Sequence, residues 1–112
     1  MEVDPQAMSV DECRAWLAKD EGWELRDGIW FRHDKGFFDL VDLFPANLDG
    51  AASSMPDGWW LSLEHVVDQP GEPYWSAMAT RNTEYRQANG PDEITARYRL
   101  AVACRLADRE GK

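Results

Sequence analysis

The sequence predicts an α+β fold in which an antiparallel sheet of about four to five strands is flanked by an N-terminal and a C-terminal helix. Three stretches carry that expectation. Ser9-Val10-Asp11-Glu12 has the form of a capping box ahead of a helical apolar pattern. Trp59 to Thr80 consists of two alternating apolar runs joined by a polar connection, VDQPGEP, rich in turn residues. Residues 91 to 108 place apolar side chains nearly all round a helix, the mark of a helix enclosed by protein. At 112 residues the chain suits one domain, expected over 9–112 after a flexible N-terminal lead-in over 1–8, with Met1 and Met8 both open as the start.

In chain order, the first helix runs from the Ser9 cap to about Lys19. Val10, Cys13, Trp16 and Leu17 share one face, and Asp11, Glu12, Ala15 and Lys19 lie on the other. Gly22 stops it. Trp23 to Arg26 alternates with period two, Asp27-Gly28 favours a tight hairpin turn, and Ile29 to Arg32 returns. After the polar break at residues 33 to 36, FFDLVDLF reads as a strand. Pro45 ends it, and Asn47 caps a short helix toward Met55, weakened by Gly50 and two serines. In the central hairpin Trp59, Leu61, Leu63 and His65 share one face, and Trp60, Ser62, Glu64 and Val66 share the other. The return strand sets Trp75, Ala77 and Ala79 against Tyr74, Ser76 and Met78, and the two small alanines leave room for a helix to approach. Thr83 to Arg86 reads as an edge strand, and the last helix runs from about Pro91 to Asp108, with proline and acids in its first turn.

Composition narrows the function classes. The chain carries 21 Asp/Glu against 12 Lys/Arg, a net charge of -9 that repels nucleic-acid phosphates. Residues 1–60 hold 13 acids against 5 Lys/Arg, and residues 61–112 hold 8 against 7. No Lys or Arg falls between Gly36 and Thr80, where Asp39, Asp42, Asp49, Asp57, Glu64, Asp68 and Glu72 all lie. Such a one-signed segment is either a solvating surface or one that meets a basic partner. The N-terminus lacks the apolar core of a signal peptide, and no apolar run approaches the ~18 residues of a membrane span. A soluble, cytoplasmic protein is expected, with no direct contact to nucleic acid or membrane.

No cofactor, metal or catalytic motif is legible. Cys13 and Cys104 stand in separate helical segments, outside any CxxC or Cys/His cluster, and read as buried reduced thiols, a disulfide between them being the alternative. His33 and His65 lack helical ligand partners, and Glu64 and His65 point to opposite faces of a strand. No GxSxG, Walker-type or GxGxxG element occurs, so the protein is expected not to be an enzyme.

The order of a helix ending in LAKDEGW, a hairpin with Trp30, ANLDGAAS, a WW strand pair and DEITARYRLAVACRLA resembles the phage ABA-sandwich domain proteins, small proteins of phages and prophages. The resemblance covers about residues 9–108. It implies an α-β-α sandwich, transfers no catalytic residue, and departs at the second helix, which Gly50 breaks and Pro56 stops.

Two functional readings follow. In the first, the acidic set Asp39, Asp42, Asp49, Asp57, Glu64, Asp68 and Glu72 engages a basic surface on a host protein, such as a bacterial immune component. In the second, an aromatic and arginine pocket of Trp60, Tyr74, Trp75, Arg81 and Arg86 sequesters a nucleotide-type signalling molecule. Exposed tryptophan on an edge hairpin also fits a homodimer.

Overall fold

A computed structural model describes residues 3–67 and 70–110. A 3-10 turn, Pro5–Ala7, leads into α1, Val10–Asp20. The capping box is present: Glu12 N–H donates to the Ser9 hydroxyl, and the Glu12 carboxylate accepts from Ser9 N–H. Strands β1, Glu24–Arg26, and β2, Ile29–Arg32, meet at a turn in which Asp27 and Gly28 both take positive φ, 49° and 84°. That double left-handed conformation is the one Asp-Gly supports at least cost.

Residues 37 to 44 depart from the expected single strand. β3 spans only Gly36–Phe38, and Leu40–Leu43 forms a helical turn, α2. Apolar residues on both parities fit this geometry because a helical turn lets Leu40, Leu43 and Phe44 point into one cluster. Then follow α3, Leu48–Ser53, capped by the Asn47 side chain on Gly50 N–H, and β4, Trp60–Val66. β5, Tyr74–Arg81, β6, Glu84–Gly90, and α4, Glu93–Glu110, complete the chain.

The strands form two three-stranded antiparallel sheets, β1-β2-β3 and β4-β5-β6, in place of one sheet of four to five strands. The physical reason is α4. Its Ala96, Leu100 and Cys104 pack with Ala77, Ala79 and Ala88 of the second sheet. Its Tyr98, Ala101 and Val102 join Cys13, Leu17, Trp23, Trp30 and Ala51 in a separate cluster. The first sheet is anchored through Trp30, 4% exposed, in the cluster that α1 shares, so the helix stands between the two sets of strands. The order of layers is sheet, α4, then α1 with α3 and the small sheet. Among the described residues only one face of β4-β5-β6 is covered, which differs from the sandwich that the resemblance implies.

Gly50 shows how closely α3 meets α4. The Tyr98 hydroxyl, on a fully buried side chain, donates to the Pro45 carbonyl at 2.6 Å. A Cβ on Gly50 would run into that carbonyl oxygen and would lie 2.8 Å from the hydroxyl. The residue that weakens the helix locally is what lets the helix dock. Cys13 and Cys104 are buried and free, in different clusters, with no disulfide between them.

Two predictions follow from this packing. Gly50→Ala, which helix propensity alone would make stabilising by about 1 kcal/mol, is expected to destabilise by about 1–3 kcal/mol through overpacking, measured by urea denaturation. Burial pushes the Cys13 and Cys104 thiols from 9.0 to about 12, and the Tyr98 phenol from 10.0 to about 12. Their protonated forms are therefore favoured by the folded state. That contribution is complete below pH 9 and is lost as pH rises toward 12. A pH series of denaturation midpoints is expected to fall across that window, and native thiols at pH 8 should resist alkylation.

Candidate functional site

The β4-β5-β6 sheet alternates side chains between α4 and solvent. Its register places Trp60, Thr80 and Tyr85 in one row, Ser62, Met78 and Gln87 in the next, and Glu64, Ser76 and Asn89 in the third, with Val66 beside Tyr74. These residues make the outer face. The inner face carries Leu61, Leu63, Ala77, Ala79 and Ala88 against Ala96, Leu100 and Cys104. An antiparallel sheet tolerates one solvated face, so the outer one is free for another use.

Trp60 is 81% exposed and Tyr85 49%. Polar groups in the neighbouring rows are tied to each other: the Gln87 amide donates to Ser76 Oγ at 2.8 Å, and the Tyr85 hydroxyl donates to Gln87 Oε1 at 3.1 Å. Among the described residues the outer face contains one carboxylate, Glu64, and no Lys or Arg. It is a mixed aromatic and polar surface with acidic sign.

Trp59 and Trp60 have opposite fates. Trp60 opens β4 and points outward. Trp59 lies just before the strand, half-buried against the second cluster, with the Arg81 guanidinium 4.3 Å from its ring centroid. Arg81 is held by Glu84 and Asp108, and hydrogen bonds to these two, Glu84 first, raise its already high pKa. Its charge is neutralised within the fold.

The expected nucleotide pocket is dispersed. Trp60 and Tyr74 share the outer face, but at opposite ends of the β4–β5 pair. Trp75 is on the other face, stacked on His65 with ring centroids 4.5 Å apart and planes 6° apart. Arg81 is occupied as described, and Arg86 donates to the Tyr85 carbonyl. The C-terminal arginines are occupied too. Arg105 donates to the Ser54 carbonyl, Asp20 and Glu21, and Arg109 pairs with Asp20, lining a cleft of about 390 Å³ with Pro56 and Asp108. The cleft is the seam of a clamp joining α1, α3 and α4.

The acidic set is also divided. Asp39, Asp42 and Asp49 are exposed on or beside α2 and α3, in the layer with α1. Glu64 is on the outer sheet face, with Asp57 in the turn before β4 and Glu72 in the loop before β5, both exposed. Asp68 lies outside the described residues.

Gln6 had no legible role in the sequence. Its side chain donates to Asn89 O and accepts from Asn89 N–H, each at 2.9 Å, joining the N-terminal turn to the β6 edge. Nothing local in PQA signals a partner 83 residues away.

Among the described residues no group of His, Cys, Asp or Glu could hold a metal ion, and no helix is long and apolar enough to cross a membrane. Compared with known proteins, the chain matches no family model, no curated protein and no solved structure.

The exposure of Trp60 yields a test of its role. Trp60→Ala should leave unfolding stability within about 0.5 kcal/mol, as exposed substitutions do. Trp30→Ala should cost about 3–5 kcal/mol as a core truncation. Paired denaturation curves would distinguish a surface tryptophan kept for contact from one kept for packing.

Proposed function

We propose that this protein is a non-catalytic protein-binding factor of phage or prophage type, which docks a basic surface on a host protein and modulates it by occlusion. A bacterial immune component in the host cytoplasm is the kind of target this reading implies. The observation that carries it is the outer face of β4-β5-β6, where Trp60, Met78 and Tyr85 stand among polar groups and Glu64 is the one charge among the described residues. Aromatic anchors ringed by polar groups are the usual energetic centre of a protein interface.

The acidic sign gives this surface its selectivity. A cationic side chain gains from the exposed Trp60 ring and from Glu64, while Asp57 and Glu72 extend the field toward the two ends of the hairpin. Asp39, Asp42 and Asp49 are too far round the molecule to join the same contact. They add to the long-range field that steers a basic partner. The arginines of α4 are each paired within the chain, Arg109 while still exposed, which leaves the balance of unpaired surface charge to the acids.

The experiment is affinity capture from a host lysate at low and at high ionic strength, with wild type, Trp60→Ala and Glu64→Lys as baits. A basic protein should be retained by wild type at low salt, released at high salt, and lost from both variants. If wild type retains no partner even at low salt, this function is wrong.

A further inference from the structure

The two edges of the β4-β5-β6 sheet are built differently. At β6, the Gln6 amide makes two hydrogen bonds to Asn89 of the kind a neighbouring strand would make. Arg99 donates to the same carbonyl at 2.7 Å. At β4 there is no counterpart: the strand pairs with β5 alone, and no other strand lies beside it among the described residues.

Edge strands normally carry a guard against further pairing, such as Lys, Pro, a bulge or a covering segment. β4 reads WLSLEHV, with Glu64 as its one charged guard and no Lys, Arg, Pro or Gly, so it opposes acidic strands and not basic ones, and its register with β5 runs unbroken from Trp60↔Thr80 to Val66↔Tyr74. Every second residue of such a strand turns its N–H and C=O away from its partner.

We propose that the β4 edge receives a further strand, an extended lysine- or arginine-rich segment of a partner protein, by β-augmentation. Charge complementarity selects that occupant. Trp60 and Glu64 lie four residues apart on one face of β4, so two cations at the same spacing on an added strand stand beside an exposed ring and a carboxylate. The segment from Gly36 to Thr80 offers no competing Lys or Arg. A second copy of the chain brings the same acidic segment and a net charge of -9, so it is repelled. The inference rests on the basic-partner reading above and assigns the place and the backbone geometry of contact.

The test uses the full chain and a short synthetic peptide of alternating lysine and valine. Its controls are the glutamate counterpart and a copy N-methylated throughout, which keeps the charges but cannot donate backbone hydrogen bonds. Calorimetric titration at low salt should show binding of the lysine peptide alone, and Glu64→Lys should weaken it about tenfold or more. Amide hydrogen exchange within residues 60–66 should slow when the peptide binds. Equal binding of the N-methylated peptide would place contact on the sheet face, overturning the edge assignment while leaving the proposed function standing. Failure of the lysine peptide to bind would also overturn it, and lysate capture decides the broader function separately. Slower exchange at β4 with rising protein concentration and no peptide would show a second copy at the edge and overturn the basic occupant.

Discussion

A helix with apolar side chains on every side is stable only when protein surrounds it, and α4 imposes that demand on the whole chain. Thr95, Ala96, Tyr98, Leu100, Ala101, Val102, Cys104 and Ala107 are all buried. The β5–β6 alanines accept it on one side, and α1 and α3 accept it on the other. Small residues in the sheet bring the backbones close. On the other side a missing side chain, at Gly50, makes room for the Tyr98 hydroxyl and its carbonyl partner.

The polar residues on this helix follow from the same enclosure. A guanidinium taken partly out of water needs acceptors in fixed places, since an unpaired buried charge is far more costly than a paired one. Arg97 finds Glu93, Arg99 finds the Met8 and Asn89 carbonyls, and Arg105 finds Ser54, Asp20 and Glu21. These contacts tie the ends of distant segments to one post. They also draw positive charge inward, so that the acids of the long cation-free segment dominate the outside.

Much of the local structure was legible because it depends on neighbours in sequence. The Ser9–Glu12 box, the Asp27-Gly28 turn, the Asn47 cap and the Ala77/Ala79 notch each specify their geometry within a few residues. The mixed-parity run FFDLVDLF was not legible, because two short elements and one long strand present similar patterns when both bury apolar groups. Nor was the function of Gly50, whose poor helix propensity is a local fact and whose close contact with Pro45 and Tyr98 is not. The candidate site was half legible: alternation within each strand separated Trp60 from Trp59 and Tyr74 from Trp75, but only the pairing register shows that Trp60 and Trp75 face opposite ways, and spacing along the chain could not reveal that Arg81, Arg105 and Arg109 were already paired.

An acidic α+β chain with a capped first helix, a tight Asp-Gly hairpin, a longer aromatic hairpin and an enclosed last helix can be read from the residues alone. Those features follow from backbone preference and periodicity, which act over a few residues. The division of the strands into two sheets, the place of α4 between them, and a sheet face and β4 edge left open among the described residues emerge only from the folded chain. Which surfaces meet depends on shape and on hydrogen-bond partners far apart in the chain, as Gln6 with Asn89 and Arg105 with Ser54 show. No window of the sequence contains both members of such a pair.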